Sequence, residues 1–177
     1  MKLLIKIIIT FSIIAGCNHD EISDEQRKSE TEKIRTRIET FTAAYEKKDM
    51  NALIALLSSS NSFYFLGSDV AEKNFNISDF RNQIDHDWEL FDSINFGQIR
   101  NESIIIADSD DLAVAIYEIP VLSKVGNSHS KFVMRMTNTF VKENGVWQLI
   151  QGMVAIPSVG ESSAELIKMK KDVINAN

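Results

Sequence analysis

The sequence predicts an α+β fold, and three observations carry that prediction. Apolar residues recur at helical spacing between Ile34 and Phe91, and after Ser93 the pattern changes to long runs suited to strands. Asn144-Gly145 then divides the last two of these runs, as a tight hairpin turn would. Helices followed by four consecutive antiparallel strands pack on one face of a curved sheet.

The chain opens on Met1-Lys2-Leu3-Leu4-Ile5-Lys6, stays apolar from Ile7 to Ile14, and reaches Ile14-Ala15-Gly16-Cys17 with its only cysteine. A cationic start, a short apolar core and small residues before a cut are the parts of a secretory signal, assigned to residues 1–17. A membrane span needs about 20 apolar residues, more than this run provides. Ile-Ala-Gly-Cys resembles the bacterial lipobox. That resemblance implies a lipoprotein cleaved before Cys17 and acylated on its sulfur, with chains such as palmitate holding it to the membrane of the cell envelope. Asn18 after the cysteine, where some Gram-negative groups place aspartate for inner-membrane retention, implies the outer membrane.

Residues 18–31 are almost wholly polar and read as a solvated tether merging into a helix. The domain follows over 32–157, with a C-terminal helix over 158–177. Beyond Cys17 there remain 17 basic and 25 acidic side chains once Lys2 and Lys6 are removed, a formal charge of −8. Without a cluster of Lys and Arg, nucleic acid is excluded as a partner.

Ile34, Ile38, Phe41 and Tyr45 form one face of a long helix. Asp49 caps a second, with Met50, Leu53, Ile54 and Leu57 as its stripe, and Ser58 to Asn61 ends it. Phe63 to Leu66 is a short strand stopping at Gly67. A third helix starts near Ser78 and aligns Phe80, Ile84, Trp88 and Phe91. Four strands are predicted at Ile94–Ile106, Leu112–Leu122, Ser130–Val141 and Val146–Ile156, with turns at Gly126-Asn127 and Asn144-Gly145. The last helix, roughly Ser163 to Asn175, carries Leu166, Met169 and Val173 on one side.

A helix, a short helix after Lys47-Lys48-Asp49-Met50, a strand to Phe65-Leu66-Gly67, and a hairpin from Arg135-Met136-Thr137 through Asn144-Gly145-Val146-Trp147 to Gln151 and Pro157 together resemble the nuclear transport factor 2-like superfamily, in its SnoaL-like branch. The likeness spans about Ile34 to Pro157. It implies a cone-shaped fold, a curved antiparallel sheet wrapped around the long N-terminal helix, with an apolar cavity at the open end and often a homodimer through the sheet. Chemistry does not follow, because one fold hosts isomerases, dehydratases and binding modules. In the ketosteroid isomerase reaction a carboxylate base moves the proton while a tyrosine and a protonated aspartate hold the oxyanion. Counted from Asp49 and Gly145, those positions fall on Phe41, Phe65 and Met134, which can do neither. Met153 stands where the SnoaL-like branch often has a histidine.

Asp87 is the one candidate general base. It shares a helix face with Ile84 and Phe91, and burial beside Trp88 would raise its pKa; the alternative is an aspartate at the edge of the stripe reaching solvent or a backbone partner. Asn138 shares a strand face with Met134 and Met136, and Gln151 with Met153. A proton-transfer site requires Asp87, Asn138 and Gln151 to converge on a void, and divergence counts against it. The expected cavity lining is Phe41, Tyr45, Phe65, Asp87, Trp88, Met134, Met136, Asn138, Gln151 and Met153, with Trp147 a further aromatic that is either core or lining.

No metal and no cofactor are expected. Asp108-Ser109-Asp110-Asp111 lacks the glycine and the final glutamate of a calcium loop, its twelfth position being Ile119. Asp85-His86-Asp87 diverges around a helix, and His19 and His129 have no partners at ligand spacing. Seven glycines form no phosphate or dinucleotide fingerprint. The resulting expectation is a lipid-anchored domain that binds a small apolar ligand or a protein partner without catalysis. The alternative is a cofactor-free isomerase or hydratase using Asp87.

Overall fold

Ser23 starts the first helix, and it does so inside the segment expected to be a tether. In the computed structural model, which describes residues 22–59, 63–158 and 162–175, α1 runs Asp24–Glu46. The Ser23 hydroxyl accepts from the Gln26 amide while the Gln26 side chain accepts from the Ser23 amide, a reciprocal capping box, and Asp24 and Glu25 favour the positive end of the helix. Ile22 is buried ahead of the cap, and Arg27 donates to the Ile106 carbonyl at 2.6 Å and pairs with Asp108 at 3.0 Å. The polar composition of 24–31 is therefore that of a helix gripping the sheet. Cys17, the signal and the start of the tether lie outside the described residues.

Asp49 caps α2 (Met50–Ile54) by accepting from the Ala52 amide at 3.0 Å. β1 (Tyr64–Leu66) is followed by β2 (Lys73–Asn74), a two-residue strand too short to leave a sequence pattern. Asn76 caps α3 (Ile77–Leu90). Where one strand was expected over Ile94–Ile106 there are two, β3 (Ser93–Phe96) and β4 (Arg100–Ile106). Both lie along the same edge of β5 (Leu112–Val125), β3 opposite 121–124 and β4 opposite Ala113–Glu118. The break falls at Gly97, whose amide donates to the Pro120 carbonyl and whose Cα sits so close that a Cβ would meet Pro120 at 3.2 Å.

β6 (Ser128–Glu143) and β7 (Val146–Ala155) complete the sheet, in the order β2-β1-β7-β6-β5-β3 with β4 also on β5. Asn144 (φ 50°) and Gly145 (φ 79°) both adopt the left-handed conformation that a type I′ turn requires. The sheet is mixed, not wholly antiparallel as expected, because β1 runs parallel to β7. One irregularity sets the facing of β7: Phe140 pairs with Leu149 but Thr139 with Gln151, so Ile150 is an extra residue in a β-bulge. Trp147 and Leu149 point inward before it; Gly152 and Val154 do so after it.

The core lies between α1, α3 and the concave face, where Ile34, Leu53, Phe80 and Trp147 are almost fully buried. Its far end is polar. Glu30 accepts from Trp147 Nε1 at 2.7 Å and pairs with Lys33 at 2.7 Å and Lys142 at 3.0 Å, while Lys142 lies over the Trp147 ring and reaches Asp110 at 2.7 Å. Burial alone would raise the Glu30 pKa, but the bonds from Lys33, Lys142 and Trp147 outweigh it and hold the carboxyl down at about 2. The acidic run 108–111 is thus the turn between β4 and β5. In α4 (Ser163–Asn175), Leu166, Ile167 and Met169 remain more than half exposed. Among the described residues, no helix is long and apolar enough to cross a membrane.

Candidate functional site: an aromatic cavity with two carboxylates

The C-terminal half of α1 and the body of α3 close over the concave face and leave a cavity of about 200 Å³. Helical spacing places Phe41, Thr42 and Tyr45 of α1 on its wall, and Phe80, Gln83, Ile84 and Asp87 of α3 opposite them. The inward residues of the strands complete it: Tyr117, Ile119 and Val121 of β5, Phe132, Met134 and Met136 of β6, Val154 of β7 and Phe65 of β1. The turn from Gly67 to Asn74 contributes Glu72 at the rim.

Asp87 is the polar centre of this wall. Tyr45 Oη donates to Asp87 Oδ2 at 2.9 Å, and Gln83 Nε2, one helical turn back, donates to Oδ1 at 2.9 Å. Burial pushes the Asp87 pKa up; the bonds from Gln83 and Tyr45 pull it back in part, and the charge of Glu72 pushes it further up. Tyr45 is shifted upward as well, first by its own burial and then by the Asp87 charge. Trp88 Nε1 donates to the Tyr45 carbonyl at 3.1 Å and its ring meets Tyr45 edge-on, so it holds α3 against α1. A carboxylate held by two neutral donors, with its charge disfavoured by burial, can act as counter-charge to a cation or accept a proton.

Of the residues expected at this site, Phe41, Tyr45, Phe65, Asp87, Met134 and Met136 line the cavity. Trp88 does not, because its ring packs behind Tyr45. Asn138 faces inward but is turned away, donating from Nδ2 to Tyr117 Oη at 3.0 Å. Gln151 and Met153 are on the opposite face of the sheet: the bulge at Ile150 reverses the alternation, Gln151 accepts from Thr139 at 2.8 Å, and Met153 is 42% exposed. Asp87, Asn138 and Gln151 therefore diverge, and the three-residue site expected from sequence is not formed. Trp147 is core, at the far end from the cavity.

Among the lining residues that the sequence reading missed are Gln83, Tyr117 and Glu72. Gln83 was findable as the residue four before Asp87, and Tyr117 from the strict inward alternation of β5 at Ala113, Ala115, Tyr117, Ile119 and Val121. Glu72 left no signal, since only the turn through β2 brings it to the rim.

Comparison with known proteins agrees with the fold. A search of curated protein sequences finds no match to the chain. Among solved structures, a proposed scytalone dehydratase from Novosphingobium aromaticivorans superposes with a TM-score of 0.68 at 10% identity, over 77% of this chain and 89% of that one. A hexachlorocyclohexane dehydrochlorinase, LinA-type3, from Novosphingobium barchaimii is similar with a TM-score of 0.67 at 12% identity, covering 77% and 92%. A nuclear transport factor 2-like protein from Salmonella enterica gives a TM-score of 0.67 at 15% identity, covering 77% and 99%. These similarities show the fold. The family model of the SnoaL-like domain matches residues 34–158, and the chain belongs to that family.

Proposed function

We propose that this SnoaL-like domain binds a small, largely apolar molecule in the cavity between α1, α3 and the sheet, and that it does so as a lipoprotein tethered through Cys17 at the bacterial cell envelope. The observation that supports binding most is the cavity itself: about 200 Å³ walled by aromatic rings and two methionines, with the half-buried Asp87 and Glu72 to orient a guest. Methionines at 134 and 136 give that wall the adaptability expected of a site accepting related shapes. A ligand-observed NMR screen of single-ring fragments tests it. Hits that disappear in Met134→Trp, which fills the cavity, support the reading; no hits, or hits indifferent to the substitution, remove it. The anchor has its own test: Cys17→Ser must move the protein out of the membrane fraction. A second copy docks on the outer sheet face, where Ile105, Ile116 and Leu122 are exposed, and sedimentation equilibrium that finds only monomer at high concentration would refute this.

A second reading is supported by one observation. Asp87 faces the cavity with a raised pKa and a hydrogen-bonded tyrosine, which suits a general base in a cofactor-free proton transfer. The proposed dehydratase and the dehydrochlorinase among the structural neighbours share the fold on which such chemistry would sit. Deuterium washout from a panel of small cyclic ketones, followed by NMR, tests it: a general base contributes about 100-fold or more. Washout at the same rate in the parent and in Asp87→Asn would eliminate this reading and leave binding intact.

A further inference from the structure

Resting on the reading of the cavity as a ligand site, we infer that its ligand is a cation: a single ring bearing an amine or quaternary ammonium group, held between Asp87 and Glu72. The wall carries these two carboxylates and, among the described residues that line it, no Lys, Arg or His. Neither carboxylate has an ion-pair partner among the described residues. Their hydrogen bonds come from neutral groups, Tyr45 and Gln83 for Asp87 and the Asp69 amide at 3.1 Å for Glu72. Such donors orient a carboxylate but leave its charge in place.

The two charges also act on each other. Glu72 lies near enough for its charge to raise the proton affinity of both Asp87 and Tyr45. Unpaired carboxylates in a partly buried space are unfavourable, and a guest that brings positive charge relieves both at once. The remaining wall favours the same guest, since Phe41, Phe65, Phe80 and Phe96 line the cavity and an aromatic ring attracts a cation placed over its face. An anionic guest meets like charges with no counterweight. A neutral one leaves both carboxylates uncompensated.

Size narrows the class. A cavity of about 150 Å³ holds benzene, so about 200 Å³ holds one ring and a compact head group. Larger polycyclic cations do not fit.

Three single-ring probes, the first two of one shape, distinguish the cases when titrated calorimetrically into the full chain: phenyltrimethylammonium, its uncharged isostere tert-butylbenzene, and the anion benzoate. Phenyltrimethylammonium is expected to bind at least about tenfold more tightly than tert-butylbenzene, and benzoate not to bind. Glu72→Gln, at a half-buried turn position, is expected to weaken the cation about tenfold and leave the isostere unchanged; Asp87→Asn is expected to do the same. Equal or tighter binding of tert-butylbenzene, or competition by benzoate, overturns the charge assignment while the cavity stands as a ligand site. Absence of binding by all three overturns both.

Discussion

Trp147 Nε1 donates to Glu30 Oε2 across 2.7 Å, joining the start of the last strand to the first helix over a separation of 117 residues. The Glu30 carboxyl titrates near 2 in the folded chain instead of near 4.5. A carboxyl lowered by folding adds stability that is complete above its unfolded pKa and is lost as the pH falls through the folded one. We therefore expect about 3 kcal/mol from Glu30 at pH 7, declining between pH 5 and pH 2. Glu30→Gln should lower the urea midpoint strongly at pH 7 and little at pH 2.5; a constant difference across that range would contradict the account.

Asp87 works in the other direction. Its pKa is raised by burial, so the folded state holds the proton more tightly, and that stabilisation is present at low pH and fades as the pH rises through the folded pKa. Asp87→Asn removes the buried charge and keeps an acceptor for Tyr45. Thermal melts should show the variant more stable than the parent at pH 8, with the gap narrowing toward pH 4. A less stable variant at pH 8 would mean that the Tyr45 and Gln83 bonds outweigh burial.

Gly152 pairs across the parallel ladder with Phe65, and a Cβ on it would lie 2.3 and 2.4 Å from two carbons of the Phe65 ring. The ring cannot retreat, being packed on Phe63 and Phe80. Gly152→Ala should cost about 1–3 kcal/mol in chemical denaturation. Since Phe65 lines the cavity, the same change should also reduce binding of any ring-sized ligand.

Asn138 depends on Tyr117 Oη for the bond at Nδ2, and its Oδ1 is buried without a partner among the described residues. Tyr117→Phe should cost about 1–3 kcal/mol by orphaning the amide. A double-mutant cycle with Asn138→Leu checks it: the pair should be less destabilised than the sum of the single changes. Additivity would show that the hydroxyl matters elsewhere.

Much of this architecture was legible because its signals are local. Ile34, Ile38 and Tyr45 mark the buried face of α1 by spacing alone, and Asn144-Gly145 has few alternatives to a type I′ turn. The failures share a cause, which is that they depend on contacts distant in sequence. Residues 24–31 are exposed for the most part, as expected, but they read as a tether and not as helix because the grip of Arg27 is on Ile106 and Asp108, some 80 residues away. The break at Gly97 answers to Pro120. Within the site, Asp87 was visible as the charged member of an apolar helix face, whereas Glu72 reaches the rim only through a turn with no periodicity. Gln151 and Met153 were misplaced because strict alternation was carried through a strand that breaks it.

That break has a consequence for how the cavity is specified. Below Ile150, the same stretch of chain could present either of two side-chain sets to the interior, since shifting a strand by one residue exchanges its faces. A chain lacking Ile150 would alternate regularly through Leu149, Gln151 and Gly152 and keep the present facing, whereas a chain that took Ile150 into the ladder would bring Gln151 and Met153 inward and turn Val154 out. Peroxide oxidation of Met153 reads the facing and should be as rapid in the Ile150 deletion as in the parent; slow oxidation in the deletion would contradict this account. On this strand the polarity of the cavity is set by one unpaired residue, which separates an apolar wall from one carrying an amide and a thioether.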